Sequence, residues 1–223
     1  PRRRPLPSGE ATAVYLPACV NVMFGPLEGP GVQVSFEALC AKAGITLLVP
    51  PEIESMCCGT PWSSKGIPDG YAEMKARVLR VTDNGRLPVV CDASSCTEGF
   101  KHMIETDPEL KITVIDSVAF VAKHVLPILG EYRKLESLTI HPTCSSTQMG
   151  LNPDLVTVAK AVADKVNVPL DSGCCAFAGD RGMLHPELTA AATAPEAAAV
   201  ARLDAEAHAS CNRTCELGMT RAT

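Results

Sequence analysis

The sequence predicts an α/β fold of two tandem repeats of about 120 residues, each a small parallel sheet with covering helices, the two related by a pseudo-twofold. Three observations predict it. Short apolar runs alternate with stretches of helical period, as in parallel sheets buried between helices. Proline or glycine closes several of those runs. The cysteines occur twice in one order, at nearly one offset.

Residues 12–16 form an apolar run stopped by Pro17, a buried strand. Residues 31–43 carry apolar positions at helical spacing and stop at Gly44, which suits a helix C-terminus. Residues 45–49 make the next strand, ended by Pro50-Pro51. A helix over 70–83, a strand over 87–90 that delivers Cys91, a helix over about 96–106, a strand over 112–115 and a helix over 117–129 follow. The second repeat opens with a strand at 138–140 running into His141-Pro142-Thr143-Cys144. A helix over about 153–165, a strand near 166–170, an Ala-rich helix over 187–207 and a short strand at 208–211 complete it. Residues 1–11 read as a linker from an upstream region, 12–132 as the first domain and 133–223 as the second, with the boundary near 130–137. Ligands of such sheets bind beyond the carboxyl ends of the strands, and Cys19, Cys91, Cys144 and Cys211 fall there.

The length of 223 residues allows one ordinary domain or two compact ones, and 46% hydrophobic with 20% charged residues excludes collagen, disorder and coiled coil. A net charge of −5 offers no footprint for nucleic acid or an anionic membrane. No apolar run approaches the roughly 20 residues that span a bilayer, and the basic opening leads into no apolar signal region. The expected location is cytoplasmic, free or peripheral at the inner face of the membrane.

Eleven cysteines are the unusual feature, and thiols in a reducing compartment more often bind metal or do redox chemistry than pair as disulfides. Cys57-Cys58 and Cys174-Cys175 are adjacent; such neighbours rarely bond to each other, and each pair sets two soft sulfurs at one point of the backbone. Read outward, Cys19, Cys57-Cys58, Cys91 and Cys96 have intervening gaps of 37, 32 and 4 residues. Cys144, Cys174-Cys175, Cys211 and Cys215 have gaps of 29, 35 and 3. Matching positions are 117 to 125 residues apart, and Pro17 and Pro142 each stand two before a cysteine, so the chain reads as a duplication. Thiolates suit zinc, copper(I) and iron–sulfur clusters. Four would complete a cubane cluster, and the fifth suggests a modified one. Zinc remains the alternative, and a bare redox dithiol has no Cys-x-x-Cys to support it.

The pattern resembles the cysteine-rich CCG domain, which occurs twice in the cysteine-rich component of heterodisulfide reductase and in iron–sulfur components of glycerol-3-phosphate, glycolate and lactate oxidation systems. Cys91-Asp92-Ala93-Ser94-Ser95-Cys96 and Arg213-Thr214-Cys215-Glu216 look most like the C-terminal region of FAD-linked D-lactate dehydrogenases. The resemblance spans about residues 12–219. It implies one 4Fe-4S-type iron–sulfur site on Cys19, Cys57, Cys58, Cys91 and Cys96, and another on Cys144, Cys174, Cys175, Cys211 and Cys215. It also implies upstream flavin and ferredoxin-like domains of the same polypeptide or complex, FAD among their cofactors, and a quinone or cytochrome acceptor. Oxidation of a 2-hydroxy acid, D-lactate or glycolate, would belong to the flavin, and this segment would carry no catalytic residue. The alternatives are a stand-alone iron–sulfur subunit of such a lactate, glycolate or heterodisulfide reductase-type complex, and a zinc-stabilised interaction domain without redox role. The sequence departs from the family in its last gaps, which are Cys-x-x-Cys there. Ala176 follows the second pair where Gly is usual, which implies a different local geometry.

Other residues have plain readings. Cys40, without a repeat partner, is a small buried hydrophobe. His141, whose repeat partner is Leu16, reads as structural rather than as a ligand, and so do His185 and His208. Trp62 either shields a cluster or packs. The turn over 178–182 either offers backbone N–H groups to cluster sulfurs or is a tight turn with an Asp180/Arg181 ion pair, the Ala-rich stretch over 190–201 is plain helix, and Arg2, Arg3 and Arg4 belong to a solvated linker. No dinucleotide loop, P-loop, nucleophile elbow or HExxH is present. The basic, Pro-rich start and the end soon after Cys215 suggest a segment of a larger oxidoreductase.

Overall fold

The computed structural model describes residues 2–7, 9–26, 28–82, 85–107 and 109–223. The chain divides into two compact units, Pro1–Phe120 and Val121–Thr223. In the first, β1 (Ala13–Leu16), β2 (Leu47–Leu48), β3 (Val89–Cys91) and β4 (Val114–Asp116) form a parallel sheet in the order β2-β1-β3-β4. All of β1 and all of β3 are buried, as two-sided cover of central strands requires. The helices of this unit are α1 (Cys19–Met23), α2 (Val32–Lys42), α3 (Thr60–Ser64), α4 (Pro68–Thr82), α5 (Ser94–Glu105) and α6 (Ser117–Phe120). Phe36 of α2 packs on Tyr15 with ring centroids 4.8 Å apart, and on Phe120 at 6.1 Å.

The second unit has β5 (Leu135–His141), α7 (Cys144–Gln148), α8 (Asn152–Val162), β6 (Ala163–Asn167), α9 (Arg181–Leu184), α10 (Pro186–Leu203), β7 (Ala207–Ser210) and α11 (Arg213–Ala222). Its sheet is again parallel, with the first strand in the middle: β6-β5-β7. That is the arrangement of β2-β1-β3. No helix among the described residues is long and apolar enough to cross a membrane.

Several boundaries differ from the sequence reading. The strand placed near 166–170 is β6, several residues earlier. It lies at the sheet edge, so Asp164 and Lys165 face solvent and leave no apolar run, while Pro169 has no N–H to continue the ladder. The helix over 117–129 is α6 followed by a π-helical turn, Val121–Val125, which packs on α8 and pairs Lys123 with Asp154 at 3.1 Å. The expected end of α4 at residue 83 lies outside the described residues. The opening residues are not simply a solvated linker. Leu6 exchanges backbone hydrogen bonds with Val49 at 3.1 and 3.0 Å, and Arg3 is buried. Arg2 is exposed, and Arg4 lies 4.0 Å from Glu37.

Candidate metal centres

In the first unit Pro17 and Ala18 lead from β1 to Cys19 at the start of α1, and Cys91 ends the neighbouring β3. The buried Asp92 ties these turns together. Its carboxylate accepts from the Tyr15 hydroxyl at 2.5 Å and the Ala18 N–H at 2.6 Å, while its carbonyl accepts from the Asn21 amide at 3.1 Å. Burial pushes the Asp92 carboxyl above its usual range. The Tyr15 hydroxyl rises too, by burial and then by the Asp92 charge. Cys57 and Cys58 occupy the loop after a 3-10 turn at Ile53–Ser55, and Cys96 lies in the first turn of α5.

The five thiols are neighbours in series: Cys19 interacts with Cys57, Cys57 with Cys58, Cys58 with Cys96, and Cys96 with Cys91. All five are harder to ionise than an ordinary thiol. For Cys19 the bond to Cys57 is the main cause, then burial. In Cys57, Cys58 and Cys96 one sulfur neighbour favours the thiolate, but the next sulfur and burial outweigh it, taking Cys58 up to about 12. In Cys91 the bond to Cys96 is outweighed by burial and the Asp92 charge. Five sulfurs together repel one another's charge, and a bound cation removes that obstacle.

Arg3 lines the same cleft with Cys19, Cys57, Cys58 and Cys96. Its guanidinium donates to the carbonyls of Pro17 (3.3 Å), Glu54 (3.0 Å) and Met56 (2.9 Å), and its charge favours the Cys19 thiolate. Gly59, at φ +82°, directs its N–H to the Cys57 sulfur. One turn beyond Cys96, a Cβ on Gly99 would overlap Thr60 Oγ1 and stand 3.3 Å from the Cys58 Cβ, so α5 reaches the cysteine pair only through glycine.

In the second unit Thr143 caps α7 by a reciprocal pair of bonds with Ser146, at 3.0 and 2.9 Å, and so presents Cys144 at the helix start. Cys144 meets Cys174, and both are exposed. Burial, then Cys174, pushes the Cys144 thiol up to about 11. Deeper in, Cys175 and Cys215 are buried with their sulfurs 3.0 Å apart. Cys211, just past β7, lies 3.6 Å from Thr143 Oγ1 and acts on Cys215 through its charge. The ten cysteines thus stand as one connected group in the first unit, and as an outer pair and an inner pair with Cys211 in the second. Cys40 is buried in α2, its thiol pushed up to about 12 by burial alone.

Ala176 takes φ +53°, so the residue after the pair is left-handed with or without a Cβ. The different geometry expected of alanine is absent in φ. Its N–H points at the Cys174 sulfur (3.4 Å) and that of Phe177 at Cys175. The sulfur-directed N–H groups therefore lie just before the 178–182 turn, whose Gly182 N–H goes to the Phe177 carbonyl at 2.7 Å. Gly218 stands to Cys215 as Gly99 does to Cys96; a Cβ there would lie 3.2 Å from Thr189 Cγ2 and 3.6 Å from the Cys175 Cβ.

His141, at the end of β5, stands beside the inner pair. Its Nδ1 lies 2.8 and 2.9 Å from the two oxygens of Glu196, and its ligand nitrogen and the sulfurs of Cys175 and Cys215 lie within 4.8 Å of one another. Burial opposes the imidazolium, but Cys175 and Glu196 outweigh it and raise His141 to about 9. The bond from Cys215, with help from His141, lowers the Cys175 thiol, while Cys215 is raised. Trp62 is exposed and lies on Gly70. His185 bonds exposed Glu187 at 3.2 Å, and His208 faces solvent.

Sequence reasoning missed Arg3, Asp92, Glu196 and the two glycines. Glu196 had a signal: it is the one acid in the buried stripe Thr189, Thr193, Glu196, Ala197 and Val200 of α10. The donor sets, soft sulfur with one imidazole, suit a metal ion or an iron–sulfur group. No curated protein matches the chain. The family model of the CCG cysteine-rich domain does match, over a stretch holding His141, Glu196 and all five cysteines of the second set: residues 138–220 are a CCG cysteine-rich domain.

Proposed function

We propose that this chain is an iron–sulfur electron-transfer segment, with one 4Fe-4S-type group held by Cys19, Cys57, Cys58, Cys91 and Cys96 and another by Cys144, Cys174, Cys175, Cys211 and Cys215. The carrying observation is the gathering of sulfurs beyond the carboxyl ends of parallel strands, with Cys19, Cys57, Cys58, Cys96 and Cys91 neighbours in series. When bound, such a group takes up and passes on single electrons. The chain's own residues hold it and tune it. Asp92 fixes the turns bearing Cys19 and Cys91, the N–H groups of Gly59, Ala176 and Phe177 face sulfur, and Arg3 offsets thiolate charge.

Reading the units as copies of one domain has three supports: the shared strand order, the left-handed residue after each pair, and the glycine three residues after Cys96 and Cys215. With the local words around Cys91 and Cys215, this favours the iron–sulfur end of a FAD-linked dehydrogenase of a 2-hydroxy acid, D-lactate before glycolate. Its partners are then flavin and ferredoxin-like domains and a quinone or cytochrome acceptor. A stand-alone subunit in such a complex uses the same chemistry. One observation favours a zinc site instead, the His141–Cys175–Cys215 set.

Iron, sulfide and zinc analysis of anaerobically purified protein, with visible spectra before and after dithionite, tests the reading. About four irons and four sulfides per unit, with absorbance that bleaches, are expected. Colourless protein holding one or two zinc ions overturns it.

A further inference from the structure

His141 closes β5 three residues before Cys144 and is 6% exposed. Both oxygens of Glu196, itself 2% exposed, face its Nδ1 at 2.8 and 2.9 Å. The Gly173 N–H donates to Glu196 Oε2 at 3.4 Å and helps hold the carboxylate in place, just before the Cys174-Cys175 pair. The other ring nitrogen, Nε2, is fully enclosed and has no nitrogen or oxygen partner among the described residues; its neighbour is the Cys175 sulfur. It faces the Cys175 side, where the ligand atoms of His141, Cys175 and Cys215 lie within 4.8 Å of one another. A carboxylate that accepts the Nδ1 proton fixes the tautomer and turns the Nε2 lone pair toward the thiols, the arrangement that metal-bound histidines adopt. In the first unit Leu16, not a histidine, ends β1 at the matching position.

We infer that His141 Nε2 is a ligand of the group held in the second unit, with Glu196 as its positioning residue, so that this centre has a mixed thiolate and imidazole donor set and the first unit's is all thiolate. The inference rests on the metal-binding reading of the second unit's cysteines. His141 then stands in for one of the five cysteines named above; neutral imidazole in place of that thiolate leaves less negative charge on the centre, and in iron–sulfur sites that raises the reduction potential. The second centre is therefore the better electron acceptor of the two.

The test uses anaerobically purified chain, grown with histidine alone labelled by ¹⁵N, reduced with dithionite and read by pulsed EPR alongside iron analysis. The expected result is a histidine nitrogen coupling in the native protein that disappears in His141→Gln and His141→Cys. His141→Cys is expected to keep its iron and to show one of its two potentials shifted downward. Glu196→Gln is expected to keep iron and a weakened coupling, and to lose iron to a chelator about tenfold faster than the native chain. Should His141→Gln fail to fold, the label in native protein and in Glu196→Gln still decides. Iron present without any histidine coupling overturns the inference and leaves the iron–sulfur reading standing. Protein without iron overturns that reading, and the inference with it.

Discussion

At Ala176 backbone geometry and side chain disagree. It sits at φ +53° directly after Cys174-Cys175, a region that costs an L-residue about 1 kcal/mol or more, and it stays there because its N–H serves the Cys174 sulfur. The first unit meets the same demand with Gly59 at φ +82°, where a Cβ would also stand 2.8 Å from the side chains of Met103 and Tyr71. The two positions should therefore respond in opposite ways. Ala176→Gly relieves strain but loosens the unfolded chain, so its net effect on stability stays within about 1 kcal/mol. Gly59→Ala adds left-handed strain to a steric conflict and should cost about 1–3 kcal/mol. Urea midpoints of the two variants measure the contrast, and equal losses would contradict it. The sequence announces the conformation at Gly59, while that of Ala176 escapes it, because alanine carries no such signal. Arg3 is hidden for another reason: in a run of three arginines nothing separates the one that reaches three carbonyls from the two that do not.

Between elements, the approach of the last helix to the cysteine pair governs each site. Gly99 lies where a Cβ would overlap Thr60 Oγ1 and crowd Cys58, whereas the matching space at Gly218 begins at 3.2 Å with the methyl of Thr189. An alanine gains up to about 1 kcal/mol of helix propensity over glycine at either place. At Gly218 that gain meets only a tight side-chain contact, so Gly218→Ala should be near neutral. At Gly99 it is outweighed, and Gly99→Ala should cost about 1–3 kcal/mol and push Cys96 away from Cys58. Metal content resolved by unit would then fall in the first unit alone, and an equal fall in both would count against this packing account. The strands and longer helices around these sites were legible because buried β1 and β3 write uninterrupted apolar runs. Edge strand β6 writes Ala-Asp-Lys-Val-Asn and was read too late in the chain. The Ala-rich α10 looked featureless, yet it places Glu196 against His141, a pairing over 55 residues that no local pattern announces.

For the whole molecule, the two units differ in how their thiols compete with protons. Every thiol of the first set is held above the ordinary range, with Cys58 near 12. In the second set Cys175 is lowered to about 5, although Cys144 and Cys215 are raised. A metal ligand must shed its proton, so a raised thiol resists loading more as pH falls, by about tenfold per pH unit for each proton displaced. The lowered Cys175 thiol offers no such resistance, and although Cys144, Cys215 and the His141 imidazolium must still lose protons, that is three raised groups against five. Zinc, added as a probe ion to metal-free protein at pH 6, should therefore fill the second unit first, and the order should blur by pH 8 as the first unit gains affinity more steeply. The amide signals of Gly59 and Ala176, whose N–H groups face the Cys57 and Cys174 sulfurs, report the two events separately by NMR. Movement of the Gly59 signal ahead of Ala176 at pH 6 would show that sulfur crowding does not set the order of loading. The native order would then have to come from the geometry of the sites alone.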